Sequence, residues 1–197
     1  MAANFYFVFV KNHQKKDVKE VIEQLGYDKY KPTNEVDLWN TSKPKNLFVG
    51  EYNGYLIFSE QNLPFQFYNN EPSEIEQQFC KTFPNTQILA FVINETVGMF
   101  GYAVIENGIR QRIKHGCDGE IYRDFGELLK TEVESNLSRN EIFDEETLEE
   151  MEENGENINA IIDFEASYRV TGRLISECLG KEFYTLKDGE VTVVCYE

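Results

Sequence analysis

Apolar positions follow two different periods in the first part of the chain. Phe5 to Val10 is a continuous apolar run of the length and composition typical of a β-strand. From Asp17 to Leu25 the apolar residues recur at every third or fourth position, which predicts an amphipathic helix that Gly26 ends. A strand followed by a helix is therefore predicted to open the domain.

A tight hairpin is predicted at Asn53-Gly54. This dipeptide interrupts the strand-like run Leu47 to Ser59, and it favours a type I′ turn because both residues accept positive φ. Such a turn places Tyr52 opposite Tyr55. One face of the hairpin then carries the apolar residues Leu47, Val49, Leu56 and Phe58.

The strongest local pattern is a three-stranded meander. Apolar composition and alternation predict strands over Ile88 to Ile93, Val97 to Glu106 and Ile109 to His115, and the last two are joined by a second Asn-Gly turn at Asn107-Gly108. The meander is expected to form part of a mainly antiparallel sheet.

The turn at Asn107-Gly108 also predicts a register in which Tyr102 lies opposite Ile113. The core face would then carry Phe100, Tyr102, Val104 and Ile113. The opposite face would carry Arg110, Arg112 and Lys114, which we call the cationic stripe.

Two further helices and a last strand complete the pattern. Ser73 and Glu76 form a capping box that starts a helix before Pro84. Spaced apolar residues from Phe164 to Leu179 predict a helix closed by Gly180, and residues 190–196 read as a strand. We therefore predict a single α+β domain over residues 1–197, with a mainly antiparallel sheet built on the two hairpins and helices covering one face.

Composition narrows the class of protein. The chain has 197 residues, of which 41% are hydrophobic, enough for one ordinary core. No run approaches the roughly 20 apolar residues of a membrane-spanning helix, and no basic leader precedes the first strand. We therefore expect a cytoplasmic protein. We also expect no metal or cofactor, because no C-x-x-C pair occurs among the cysteines Cys80, Cys117, Cys178 and Cys195.

Negative charge is concentrated in one segment. The formal net charge is −16, and Thr131 to Glu156 holds eleven acidic residues against the single Arg139. This charge disfavours nucleic acid and anionic lipid as partners. The segment is predicted to be an acidic linker or an exposed excursion within the domain, and both a solvated face and a binding surface remain open. Its candidate partner-binding residues are Asp144, Glu145, Glu146, Glu149 and Glu150.

The cationic stripe is the main candidate for ligand chemistry. Alternate residues of a strand project in register, so Arg110, Arg112 and Lys114 would line up three positive groups that could hold an anionic ligand or dock the acidic segment. The alternative is a solvated sheet face with partial charge pairing. A polar cluster between His115 and Asp124 matches no metal-ligand or nucleophile frame, and it is interpreted as a turn region.

Several phrases of the central region resemble a bacterial family of uncharacterised proteins. They are Ala90-Phe91-Val92, Gly101-Tyr102-Ala103-Val104-Ile105-Glu106-Asn107-Gly108-Ile109-Arg110-Gln111-Arg112, Asp118-Gly119 and Asp124-Phe125-Gly126-Glu127. In that family a phrase of the form Y/F-A-V-x-E/D-x-G-x-x-x-R precedes an Asp-Gly turn and an I/F-G-E phrase. The resemblance covers about 45 central residues, with a shorter match at Gly172 to Gly180. It implies a bacterial intracellular protein of unknown function and transfers no active site.

Two hypotheses follow. The first is a non-enzymatic interaction protein, an adaptor or an inhibitor-like module, whose acidic surface attracts a basic protein partner. Immunity proteins that neutralise basic toxins share this charge and size, as an analogy only. The alternative is a small-molecule binding protein or enzyme that holds an anionic ligand on the cationic stripe. No motif for nucleotide binding or hydrolysis is present, so we expect binding rather than catalysis.

Overall fold

The computed structural model describes residues 4–11, 16–135 and 142–197. In chain order its strands are β1 (Asn4–Lys11), β2 (Pro32–Asp37), β3 (Leu47–Tyr52), β4 (Tyr55–Ser59), β5 (Gln87–Asn94), β6 (Met99–Glu106), β7 (Ile109–Cys117), β8 (Glu120–Gly126) and β9 (Thr192–Tyr196). They form one sheet in the order β2-β9-β3-β4-β1-β5-β6-β7-β8. Every neighbouring pair is antiparallel.

Helices occupy the connections between the strands. They are α1 (Val18–Gln24), α2 (Glu74–Thr82), α3 (Lys130–Glu134), α4 (Glu145–Glu153) and α5 (Ile158–Leu179), with short 3-10 turns at Leu38–Asn40, Pro64–Phe67 and Phe183–Thr185. No helix in the described ranges is both long and apolar enough to span a bilayer.

The central strand β1 explains why the sheet has two cores. It lies between β4 and β5, and its apolar run is continuous, so both of its faces need to be covered. Alternate side chains enter the two cores: Phe5, Phe7 and Phe9 on one face, and Tyr6, Val8 and Val10 on the other.

Helices cover both faces of the sheet, not the single face predicted from the sequence. Phe164 and Ile175 of α5 pack into the first core, and we call this side the α5 face. Val21 of α1 and Phe79 of α2 pack into the second core, and we call this side the α1–α2 face. The prediction failed on this point because the apolar runs of β1 and β5 leave neither face able to stay in water.

The predicted hairpin at Asn53 also positions the end of α5. The side-chain amide of Asn53 donates a 2.8 Å hydrogen bond to the carbonyl of Cys178, in the last turn of the helix. Gly180 ends α5 with φ +71°, and a Cβ there would lie 2.9 Å from Asn53 Nδ2. Gly180 therefore ends the helix and also leaves room for the Asn53 side chain of the turn.

The α+β class and the antiparallel sheet are confirmed. Tyr52 lies opposite Tyr55, and the predicted apolar face of this hairpin is buried on the α1–α2 face. The two edge strands, β2 and β8, were not predicted. Both are mostly exposed, so neither has the apolar run by which the inner strands are recognised in a sequence.

Candidate functional site

A bulge in β7 changes the register predicted for the second Asn-Gly hairpin. Ile105 pairs with Arg110 and Val104 pairs with Arg112, so Gln111 is an extra residue without a partner on β6. An extra residue reverses the face to which all later side chains of the strand point. Side chains before and after Gln111 therefore alternate between the two faces of the sheet in opposite phase.

The bulge divides the cationic stripe between the two faces of the sheet. Tyr102 lies opposite Lys114, and the predicted pairing of Tyr102 with Ile113 is wrong. Ile113 belongs to the α1–α2 core, whereas Phe100, Tyr102 and Val104 belong to the α5 core. Arg110 contacts α2, and Arg112 and Lys114 point to the α5 face. The three cations therefore do not form the single line that a regular strand would produce.

Gly126 of β8 fits closely against the bulge. It pairs with Arg112 and has φ +90°. A Cβ at this position would lie 2.0 Å from the carbonyl oxygen of Gln111, well inside van der Waals contact. Only glycine leaves room for the bulged backbone here.

On the α1–α2 face, Arg110 is held by the start of α2. Its Nε donates to Glu76 at 2.7 Å, and its Nη1 donates to the carbonyls of Asn69 and Asn70 at 2.8 and 2.9 Å. Glu76 is the residue that the sequence assigned to a capping box. Ser73 does accept a hydrogen bond from the Glu76 N–H, but the Glu76 carboxylate binds Arg110. The Arg110 side chain is mostly buried in this fork.

On the α5 face, Arg112 is fully buried and its donors are all directed to groups of the chain. Its Nε and Nη2 donate to both oxygens of Glu132, at 2.9 and 2.7 Å, in a bidentate pair. Its Nη1 binds the carboxylate of Asp124 and donates to the carbonyls of Phe125, at 3.0 Å, and Gly126, at 3.3 Å. These partners come from β8 and from α3, so Arg112 joins both elements to β7.

Glu132 is the central acceptor of this arrangement. Besides Arg112, it accepts hydrogen bonds of 2.8 Å from the Tyr102 hydroxyl and from the Leu129 N–H. Burial by itself would raise the pKa of Glu132, but the hydrogen bonds from Arg112, Leu129 and Tyr102 hold that pKa below its usual value. The carboxylate therefore stays ionised, and burial with the negative charge beside it raises the pKa of Tyr102.

Lys114 extends the arrangement to α5. Its Nζ lies 2.7 Å from Asp163 of α5 and 3.3 Å from Asp124 of β8. We call Arg112, Lys114, Asp124, Glu132 and Asp163 the charge network. Asp124 and Asp163 are about half-exposed and form its solvent side. Because carboxylates outnumber cations, an incoming anion would have to displace an internal partner.

Two cavities lie on the α5 face, and the smaller one borders the charge network. The smaller, of about 240 Å³, is lined by Tyr102, Lys114 and Glu132 and by apolar side chains of α3 and α5. The larger, of about 590 Å³, lies between the sheet and the last turns of α5. It has an apolar floor that includes Leu89 and Leu174 and a rim with side chains of both charge signs.

The thiol that lines the larger cavity is not an activated nucleophile. Cys178 is its lining thiol, and burial raises the pKa of that thiol to about 12. At neutral pH the group is protonated, and the thiolate is the reactive form of cysteine. The neighbouring hydroxyl of Tyr55 also has a raised pKa, mainly because of burial.

The polar cluster from His115 to Asp124 spans the end of β7, the turn at Asp118-Gly119 and the start of β8. His115 stacks on Tyr68 with ring centres 5.0 Å apart, and burial, with a smaller effect of Arg123, lowers the pKa of His115. Cys117 Sγ lies 3.2 Å from the carbonyl of Val97. Within the described ranges no group of three His, Cys, Asp or Glu side chains could hold a metal ion.

The acidic segment contains α4, a well-formed helix. Asp144 caps it by accepting a 2.8 Å hydrogen bond from the Thr147 N–H, and this hydrogen bond lowers the pKa of Asp144. Leu148 is buried and Met151 is half-buried, so one side of the helix is in contact with the domain. The five candidate partner-binding residues, Asp144, Glu145, Glu146, Glu149 and Glu150, are all exposed.

Sequence reasoning found the cations of the site but not their partners. The structure brings Arg112 and Lys114 together and places Arg110 on the other face. Asp124 and Asp163 were missed as partners because they lie 12 and 49 residues from the cations they bind, whereas Glu132, 20 residues away, belongs to the acidic segment that was one expected docking partner of the stripe. The signal available was indirect: cations on the inner strands of a sheet require buried acceptors.

Comparison with known proteins gives one match. No curated protein and no solved structure matches the chain. A family model matches residues 10–135, a range that holds β7, β8 and Glu132 and ends before α4 and Asp163. Because this match covers more than half of the chain, the protein belongs to the family of unknown function DUF6928.

Proposed function

We propose that the protein is a non-enzymatic interaction protein that binds a basic protein partner through the acidic helix. By the acidic helix we mean α4 with its flanking residues, 144–156, which hold eight carboxylates and no Lys or Arg. All eight carboxylate residues are exposed. This concentration of exposed negative charge on an ordered element is the observation that carries the proposal.

The packing of α4 supports a binding role for its outer side. The buried Leu148 holds the helix against the domain, so the carboxylates stay in water on a fixed backbone. A pre-ordered surface loses less conformational entropy on binding than a mobile tail does.

Repulsion within the helix adds a physical reason for a cationic partner. Glu145 and Glu149, and likewise Glu146 and Glu150, are spaced i, i+4 and so lie on the same stretch of helix surface. Each like-charge pair of this kind destabilises a helix by about 0.2–0.5 kcal/mol. A basic partner would relieve this repulsion, and the field of the −16 chain would accelerate its association.

An anionic ligand on Arg110, Arg112 and Lys114 receives less support. Each of these side chains is at least nine-tenths buried and contacts one or more carboxylates of the chain. Binding an anion there would break a buried ion pair, which costs about 3–5 kcal/mol when one partner is left unpaired. An adaptor or an inhibitor of a basic protein is therefore the form of function that we favour.

Affinity capture with two matched variants tests the proposal. The tagged protein is incubated with a lysate of its own source organism, the retained protein is identified and purified, and its affinity is titrated at low and raised salt. The test variant carries Glu145→Gln, Glu146→Gln, Glu149→Gln and Glu150→Gln. The control variant removes the same number of charges from the amino-terminal part of the chain, with Glu20→Gln, Glu23→Gln, Asp28→Asn and Glu35→Gln.

We expect the test variant to bind a basic protein at least tenfold more weakly than the control variant does, a difference of about 1.4 kcal/mol. Equal weakening in both variants would assign the effect to overall charge and contradict a site on the acidic helix. Retention of no basic protein by the wild type would contradict the interaction function itself.

A further inference from the structure

The strand β8 forms one edge of the sheet. In the described part of the chain its outer side has no strand partner, so alternate N–H and C=O groups face outward. The opposite edge, β2, begins with Pro32 directly after Lys31 and has an irregular register up to Glu35. Proline, lysine and irregular pairing are features that protect an edge from added strands. β8 contains neither proline nor lysine. Its register against β7 shifts at Tyr122, and residues 123–126, beyond that shift, pair regularly with β7.

Apolar side chains flank β8 on both faces of the sheet. Tyr122, 58% exposed, lies beside His115, and Phe125, 44% exposed, lies under Arg123. On the α5 face, Leu128 and Val133 line the smaller cavity and are 64% and 59% exposed. These four are the majority of the seven large apolar side chains exposed in the described ranges. An added strand would direct its alternate side chains to these two apolar surfaces.

The edge is held rigidly from within. Asp124 binds Arg112 and Lys114 of β7, and Arg123 binds the side chain of Asn70. The backbone of β8 is therefore fixed on both faces before any partner arrives. A fixed edge lowers the ordering cost of pairing with another strand.

Charge around the edge selects the kind of strand that fits. Residues 118–135 hold six carboxylates against Arg123 and Lys130. Asp124 and Glu132 belong to the charge network, whereas Glu120 and Glu127 are exposed at the two ends of β8. A second copy of this chain would bring like charges together along the edge and between molecules of net charge −16. An extended segment with Lys or Arg is complementary.

We propose that β8 is a docking edge that takes an extended, basic and partly apolar segment of the partner protein as a tenth strand. Main-chain hydrogen bonds supply the pairing, Phe125 and Leu128 contact its apolar side chains on the two faces, and Glu120 and Glu127 contact its cations. The inference rests on the proposed function for the basic character of the partner, and it adds a contact on β8 to the contact on α4.

A displayed library of random linear peptides is the probe for this edge. Peptides selected on the wild-type protein are synthesised in two N-methylated forms, with methyl groups on either the odd or the even amides. Only one set of amides of an added strand faces β8. We expect one form to lose at least tenfold in affinity and the other to stay within about twofold of the parent peptide.

Two pairs of substitutions locate the binding site. Phe125→Ser with Leu128→Ser is expected to weaken peptide binding at least tenfold, and Val97→Ser with Ile109→Ser, which removes exposed apolar groups elsewhere, is expected to leave it unchanged within about twofold. Binding that tolerates both N-methylated forms, or that survives Phe125→Ser with Leu128→Ser, overturns the proposal, as does recovery of no binding peptide. Self-association of the chain that depends on Phe125 and Leu128 would assign the edge to a second copy and also overturn it.

The variants separate this inference from the proposed function. If capture of the basic partner is lost in the α4 variant but unaffected by Phe125→Ser with Leu128→Ser, the function stands and the docking edge is wrong. The selected peptides could also carry no excess of Lys and Arg while only one N-methylated form loses affinity. In that case β8 binds added strands, but the basic character of the partner segment is contradicted.

Discussion

At the residue scale, Arg112 shows how a buried cation is accommodated in this protein. Its side chain is fully buried, and desolvation alone would lower its pKa, but the hydrogen bonds that it donates to Glu132 and Asp124 raise that pKa above the usual value. A buried pair of this kind contributes little net stability when complete and costs about 3–5 kcal/mol when one partner is removed. Removal of Arg112 or of one of its carboxylate partners is therefore expected to destabilise the folded protein.

The ionised state of Glu132 predicts a stability that depends on pH. Its pKa in the folded protein lies below the ordinary value of a glutamate carboxyl group. The stabilisation is therefore present above the pKa of the unfolded chain and is lost as pH falls through the folded pKa. We expect the free energy of unfolding of the wild type to fall between about pH 5 and pH 3.

Glu132→Gln tests this linkage directly. At pH 7 we expect the variant to be about 3 kcal/mol less stable in urea unfolding, and the difference from wild type to shrink as pH falls below about 4. Glu20→Gln, which changes an exposed carboxylate on α1, should keep the wild-type profile within about 0.5 kcal/mol. Parallel profiles of wild type and Glu132→Gln would contradict the role of this carboxylate.

At the element scale, the bulge in β7 decides which face receives each cation. Before Gln111 the strand directs Arg110 to α2, and after it the strand directs Arg112 and Lys114 to α3 and α5. One extra residue thus allows a single strand to anchor helices on both sides of the sheet. The Gly126 contact holds the bulge in place from β8.

Deletion of Gln111 tests whether the bulge acts as one extra residue. Without Gln111, Arg110 and Arg112 become successive residues of a regular strand and point to opposite faces, so the Glu76 pair and the Glu132 pair can both be kept. We expect the loss in the free energy of unfolding to stay below the roughly 3 kcal/mol that breaking a buried ion pair costs. Gln111→Ala keeps the residue count and changes an exposed side chain, so its effect should stay within about 0.5 kcal/mol. A larger loss on deletion, above about 3 kcal/mol, would show that the ion pairs need the bulged backbone itself.

At the scale of the whole molecule, charge is distributed very unevenly. The cations of β7 are neutralised inside the fold, whereas the acidic helix exposes eight carboxylates of the −16 chain. Buried pairs are screened weakly by salt, and exposed like charges are screened strongly. Added salt therefore screens the repulsion between exposed carboxylates more strongly than the attraction within the buried ion pairs.

This distribution predicts that salt stabilises the folded protein. Between about 0.01 M and 0.15 M NaCl the Debye length falls from about 30 to 8 Å, and we expect the free energy of unfolding to rise. The rise should be smaller in the variant with Gln at positions 145, 146, 149 and 150, because part of the repulsion is already removed. A free energy of unfolding that falls with added salt would mean that attractive surface pairs dominate instead.

The inner strands, the two Asn-Gly hairpins, the ends of α1 and α2 and the carboxyl end of α5 could all be predicted from the sequence, whereas α5 begins at Ile158, ahead of the predicted Phe164. Apolar period, turn residues and helix caps are local properties, and a turn such as Asn53-Gly54 acts on the residues beside it. The same reasoning identified Arg110, Arg112 and Lys114 as unusual residues of an acidic chain.

Only the tertiary structure decided where those cations point and what they bind. The bulge at Gln111 depends on its fit against Gly126, a residue of the next strand, and no local pattern in β7 predicts it. The carboxylates that bind Arg112 and Lys114 come from β8, α3 and α5. Desolvation of a cation depends on every element packed around it, so its charge partners are chosen by the assembled fold and not by the neighbouring sequence.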